Sequence, residues 1–302
     1  MRAGGLLDRF DSCPVVVLSA SFGAQDFLYP ALGVRAESIF QTVCFVTFVD
    51  DASVRAWRLN STHTQGVLPI VSHTQAGVKT IAYQVRQWTV LRWASGNGAS
   101  GLLEDSRRLA RLIKTLAHII FPCALYTIWV DTKYQLRMHP LFLLEEYLHL
   151  ERESKEKDKS SPFASAIQLV VGKHPQRTGI LSEIDALKGK LQLRGTVNIT
   201  ALDAQRATYV AEGVERYGPQ GMSDTALLIR LNAASTVQHF GCAWNNELRV
   251  FDHTRDQPSF QYLLSKWFVI RGANATARVI DRCVWTRSYI EHGHNIRHGS
   301  AN

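Results

Sequence analysis

The apolar residues of this chain gather in short unbroken runs, separated by stretches in which they recur every three or four positions. Pro14-Val15-Val16-Val17-Leu18 is the first run, and Thr42-Val43-Cys44-Phe45-Val46-Thr47-Phe48-Val49 is the second. Short runs without alternation are the pattern of strands buried on both faces of a parallel sheet. The first leads into Ser19-Ala20-Ser21-Phe22-Gly23, whose small residues let a ligand approach the backbone. The second closes on Asp50-Asp51. Residues 52–78 read as loop and short elements, and 79–93, with Val85, Trp88, Val90 and Trp93, as a strand-like stretch.

A helix is predicted over 102–118, where Leu102, Leu103, Leu109, Leu112, Ile113 and Leu116 follow helical spacing and Asp105 and Ser106 stand near the start. Pro122 stops it. Leu125 to Val130 then reads as a buried strand ending at Asp131, and a helix at roughly 140–150 opens on Pro140. Further on, Ala166 to Val171 and Leu227 to Arg230 read as strands, and 179–192, 203–216 and 257–267 as helices. This alternation predicts an open α/β sheet covered by helices. In such sheets ligands bind beyond the carboxyl ends of the strands.

Composition narrows the class without changing it. The chain has 302 residues, 46% of them hydrophobic and 20% charged, which suits a folded globular protein. The net charge of +8 favours anionic ligands. Its basic residues are scattered, with neither an aromatic–basic RNA motif nor a DNA recognition helix, so no nucleic-acid partner is expected. No apolar run is long enough to span a membrane, and the N-terminus makes a poor signal peptide. Five cysteines are widely spaced; Cys44 and Cys123 sit in apolar runs and read as small buried side chains, with a disulfide or two possible in a secretory setting. Sequons at Asn60, Asn198 and Asn274 lean mildly toward a secretory lumen. The mixed charges of 151–162 read as a surface loop.

Several residues could carry chemistry. Asp131, leaving a buried strand, could hold Mg²⁺ or Mn²⁺ against a diphosphate, or simply cap the next turn. Arg107, Arg111 and Lys114 share a helix face; they form either an anion clamp or a solvated basic surface. His174, Arg177 and Glu183 offer a base, an anion clamp and a carboxylate, or else a loop with a helix cap. Asp256 and Gln257 either start a helix whose early position holds Pro258 or face an acceptor sugar.

Taken in order, these pieces join. Phe22-Gly23-x-x-Asp26 with Pro30, Phe45-x-x-Phe48-x-Asp50, Ala110-Arg111-x-x-Lys114 and Phe121-Pro122-x-x-x-Tyr126-x-x-Trp129-x-Asp131 come first. His174-Pro175-x-Arg177 with Glu183, Tyr209 with Glu212-Gly213, Ile229-Arg230, Trp244-x-x-Glu247 and Arg255-Asp256-Gln257-x-Ser259-Phe260 follow. In this order, from about Cys13 to Trp267, the chain resembles the glycosyltransferase-like domain family of plant mucilage and pollen-tube proteins.

The resemblance implies a GT-A-like, Rossmann-related single domain over 13–270 with a mostly parallel central sheet, followed by an extension over 271–302. It implies a nucleotide-sugar donor, a glycan or polysaccharide acceptor, and work in the Golgi lumen. Phe22, Gly23 and Asp50 would line the nucleoside, Arg111 and Lys114 the diphosphate, and Asp131 a Mn²⁺ or Mg²⁺ ion. Asp256, Glu183 and His174 would be the catalytic candidates, with Arg177, Gln257 and Trp244 on the acceptor side. His139 stands where the family pattern calls for an acidic residue before Pro140, and the usual membrane anchor is missing. Metal-dependent hydrolysis of the ceramidase type and non-catalytic glycan binding are the competing readings.

Overall fold

The computed structural model describes residues 10–22, 42–59, 68–75, 78–85, 88–92, 106–148, 167–192, 198–214, 222–251, 255–271, 277–281 and 289–291. The chain divides into two compact units, Met1–Phe142 with Arg287–Asn302, and Leu143–Thr286.

In the first unit, β1 (Val15–Ser21), β2 (Val43–Val49), α1 (Asp51–Leu59), β3 (Leu68–Gln75), β4 (Val78–Val85), β5 (Trp88–Arg92), α2 (Ser106–Thr115), α3 (Ala117–Ile120), β6 (Tyr126–Val130) and β7 (Tyr134–Leu136) follow in turn. Strands β6, β1, β2 and β5 lie side by side and parallel, in register Leu18↔Trp129, Ser21↔Val49 and Val49↔Arg92. The antiparallel β4 and β3 extend the sheet beyond β5. Val16, Val17, Leu18, Val46 and Ile128 are wholly buried, as unbroken apolar strands require. A Cys13–Cys44 disulfide, with Cα atoms 5.9 Å apart, ties the entry of β1 to β2. Cys44 is therefore a cross-link and not just a small buried side chain, and Cys123 is exposed instead of buried.

Helix α4 (Pro140–Leu148) carries the chain into the second unit, which contains β8 (Leu169–Lys173), α5 (Ile180–Gln192), α6 (Ile199–Ala211), β9 (Ser223–Leu231), α7 (Ser235–Phe251), α8 (Gln257–Arg271) and β10 (Ala277–Ile280). Strand β8 pairs parallel with β10 and antiparallel with β9. Ile184, Leu202, Tyr209, Met222 and Tyr262 form a core among the helices here. The first unit is completed by a last strand, β11 (Tyr289–Glu291), which pairs with its β7. The expected class therefore holds, with helices flanking a sheet that is parallel at its centre.

Three segments depart from the sequence reading. Residues 52–78, read as loop and short elements, hold most of the nine-residue helix α1, which Asp50 caps, and the eight-residue strand β3. The single stretch 79–93 is two strands, β4 and β5. Residues 235–251, given no element, form the longest helix among those described; Val237, Phe240, Gly241, Trp244, Leu248 and Phe251 are its buried stripe.

Candidate functional site

Parallel strands all end at one edge of a sheet, and in the first unit the ends of β6, β1, β2 and β5 carry Asp131, Phe22, Asp50 and Arg92. Phe22 is buried just past β1, and Gly23 lies outside the described residues. Asp50 accepts the Ser53 N–H at 2.8 Å through Oδ1, which makes it the N-cap of α1. Asp51 forms a two-pronged pair with Arg92, whose Nη2 donates to Oδ2 at 2.6 Å. The hydrogen bond from Arg92 holds the Asp51 carboxyl below its ordinary range.

The basic helix departs from a simple amphipathic pattern. Along α2, Leu109 and Ile113 are buried, as helical spacing demands, but so are Arg111 and Lys114, at 9% and 5% exposure. Leu112, an apolar residue, is the exposed one at 37%. A solvated basic face would show the reverse, so the solvated reading fails for Arg111 and Lys114; the side chain of Arg107 lies outside the described residues. Burying cations costs free energy unless anions or hydrogen bonds compensate them.

One such anion is Asp131. Lys114 Nζ lies 3.6 Å from its Oδ1, and the indole Nε1–H of Trp129 donates to the same oxygen at 2.7 Å. The ammonium also stands 5.5 Å from the centroid of the Trp129 ring. Ser19 Oγ donates to the Val130 carbonyl at 2.6 Å, fixing the end of β6 against β1. Strand alternation thus puts Trp129 and Asp131 on one face of β6, where α2 delivers its lysine.

A divalent cation fits this arrangement poorly. Such an ion needs several oxygen ligands, whereas Asp131 Oδ1 already takes an N–H and faces an ammonium. Among the described residues no group of three His, Cys, Asp or Glu side chains is placed to hold a metal ion.

The second unit gathers the other candidates. His174 Nδ1 accepts the backbone N–H groups of Gln176 and Arg177, both at 3.1 Å. These two bonds use Nδ1 as an acceptor and orient the ring. Arg177 Nε donates to Glu183 Oε2 at 2.9 Å, and Glu183 is buried in the first turn of α5. Asp256 precedes α8, its carbonyl accepting the Phe260 N–H at 3.1 Å and its Oδ2 the hydroxyl of Thr225 at 3.2 Å. Gln257 is half-buried at the first position of α8. Trp244 is 1% exposed, packed edge-on against Phe260 and donating its indole N–H to the Asp256 carbonyl at 3.1 Å.

Three further landmarks meet in a polar network that the sequence left unassigned. Tyr209 donates to Glu247 Oε1 at 2.8 Å, and Gln205 Nε2 donates to both Tyr209 and Ser259 at 3.0 Å. Tyr209 stacks on Tyr262 with ring centroids 4.0 Å apart. Burial above all pushes the Glu247 carboxyl above its ordinary value. Gly213, with φ of 68°, ends α6 in the left-handed conformation that favours glycine. His139 Nδ1 accepts the Leu141 N–H at 3.2 Å, so it serves the start of α4 as an acidic side chain would.

These strand ends, with the buried Lys114 beside one of them, belong to an α/β protein. Residues 7–294 match the family described as TOD1/MUCI70, glycosyltransferase-like domain, and the chain belongs to that family. Two relatives from Arabidopsis thaliana are each 26% identical to it. One is named alkaline ceramidase TOD1 and is matched over 84% of this chain and 49% of its own length. The other is named probable hexosyltransferase MUCI70 and is matched over 86% of this chain and 39% of its own. The chain thus spans less than half the length of either. Among solved structures, mouse xyloside xylosyltransferase 1 aligns with a TM-score of 0.42 and 10% identity over 88% of this chain and 85% of that one. The WbbM bifunctional glycosyltransferase aligns at 0.40 and 10% identity, over 87% and 38%.

Proposed function

We propose that this protein transfers a sugar from a nucleotide-sugar donor to a glycan or polysaccharide acceptor. The observation that carries the reading is the burial of Arg111 and Lys114 on α2, with Lys114 beside Asp131 at the end of β6. Lys114 stands at the carboxyl end of a parallel strand, where open α/β sheets receive ligands, and its charge suits an anion there. A nucleoside diphosphate supplies that anion, and membership of a glycosyltransferase-like family supports it.

In this reading the diphosphate lies against Lys114 and Arg111. Both act most when the glycosidic bond breaks and negative charge builds on the leaving phosphate; preorganised cations stabilise that charge without rearrangement. Phe22, at the end of β1, borders the nucleoside. In the second unit, taken by itself, the candidate bases are Asp256, half-buried and accepting the Thr225 hydroxyl, and Glu183, buried against Arg177. The Cys13–Cys44 disulfide supports an oxidising compartment, in keeping with the Golgi lumen. Among the described residues no helix is long and apolar enough to cross a membrane.

The relative named as a ceramidase keeps lipid hydrolysis as the competing reading. Incubating the protein with a panel of UDP- and GDP-sugars and plant-type glycans, and in parallel with ceramide, separates the two. Release of UDP or GDP that rises with acceptor is the expected result. Fatty-acid release from ceramide, with every nucleotide sugar left intact, would contradict it.

A further inference from the structure

Lys114 is placed unlike an ordinary lysine. It is buried, its ammonium is 3.6 Å from Asp131 Oδ1, and it stands near the face of Trp129, whose N–H holds that same oxygen at 2.7 Å. Three side chains from two elements thus fix one positive charge at the carboxyl end of β6. Arg111 lies one turn earlier on α2 and is also buried.

We infer that the Lys114–Asp131–Trp129 unit is a built-in ammonium anchor that takes the place of a divalent cation, so that the donor's diphosphate binds without metal. This rests on the nucleotide-sugar reading above. A doubly charged ion on Asp131 would sit next to an ammonium in a partly buried setting, where repulsion between cations is weakly screened. The same ammonium already provides what the ion would contribute, a fixed positive charge facing phosphate oxygens. Asp131 is then a positioning residue: it orients Lys114 and compensates its burial, and Trp129 orients Asp131.

The two roles for Asp131 predict opposite results. If it held a metal, Asp131→Asn would abolish nucleotide binding. If it positions Lys114, Asp131→Asn keeps an acceptor for the indole N–H while removing the negative charge that competes with phosphate.

Isothermal titration of the full chain with UDP and with GDP, in EDTA and in Mn²⁺, tests this. The wild type is expected to bind one of them equally in both buffers, within about two-fold. Asp131→Asn is expected to bind in EDTA as tightly or more tightly, and Lys114→Met about 10- to 100-fold more weakly, the range of one charge-assisted hydrogen bond. Circular dichroism of each variant establishes folding, and Lys114→Arg, which retains the charge, should bind within a few-fold of wild type. Binding that falls ten-fold or more in EDTA overturns the inference and leaves the nucleotide-sugar reading standing. Absence of binding to either nucleotide in both buffers overturns that reading and the inference with it.

Discussion

Replacing Trp244 distinguishes a core residue from a sugar-stacking one. The ring is 1% exposed, with Phe260 at 4.8 Å and Phe240 at 6.2 Å between centroids, and Phe240 in turn meets Trp267 at 4.7 Å. Trp244→Phe deletes about two ring carbons, worth ~0.8 kcal/mol each by transfer. It also deletes the indole N–H bond to the Asp256 carbonyl, worth ~1 kcal/mol. That carbonyl keeps the N–H of Phe260, so no acceptor is orphaned. The loss should therefore total about 2–3 kcal/mol, and Trp244→Ala, which opens a cavity as well, should cost about 3–5 kcal/mol. Urea unfolding followed by circular dichroism reads both as a lower midpoint at unchanged slope. A cost below about 1 kcal/mol for Trp244→Ala, together with weakened glycan binding, would refute the argument and return Trp244 to the acceptor face.

Other substitutions probe single bonds. Asp50→Ala removes the N-cap of α1 and should lower stability by about 1 kcal/mol in the same assay; no change would mean that the cap contributes nothing. Breaking the Cys13–Cys44 bridge, which closes a separation of 31 residues, should cost about 3–4 kcal/mol by loop entropy, measured as Cys13→Ser with Cys44→Ser against the oxidised wild type. Burial raises the Glu247 pKa, so the folded protein holds a proton that the unfolded chain releases. Stability should therefore fall as pH rises from the ordinary carboxylate value through the folded one. Glu247→Gln keeps an acceptor for Tyr209, and should unfold at a higher temperature than wild type at about pH 7 with a flatter profile above about pH 4; a lower melting temperature at pH 7 would contradict this.

Much of the sheet was legible because continuous apolar runs have one common use. The runs at 14–18, 42–49 and 125–130 became β1, β2 and β6, and the acidic residues closing two of them stand at the sheet edge. Helix α7 was legible in principle, since its apolar positions keep helical spacing, but its polar intervals gave no start signal. Strands β3 and β4 carry polar residues among their apolar ones, as at Ser72-His73-Thr74, and such strands are defined by their pairing partners.

The candidate site was legible as a list of residues and less so as bonds. Arg111, Lys114 and Asp131 were picked out, yet nothing in the spacing distinguished buried cations from solvated ones. That distinction needs the third dimension, in which Leu112 and not Lys114 meets water. Trp129 was noted only as part of a motif; its indole bond to Asp131 joins residues two apart on one strand face, a relation that strand periodicity makes available in advance. Tyr209 and Glu247 are far apart in sequence, and only the packing of α6 against α7 brings them together.

A nucleotide bound as proposed lies at the end of β6, against Lys114. The indole N–H resonance of Trp129, assigned through Trp129→Phe, reports on that place directly, because it is bonded to the carboxylate that Lys114 faces. Titration with UDP and GDP should move this resonance saturably with one of them and leave that of buried Trp244 in place. A Trp129 resonance unmoved by either nucleotide at saturating concentration would contradict the claim.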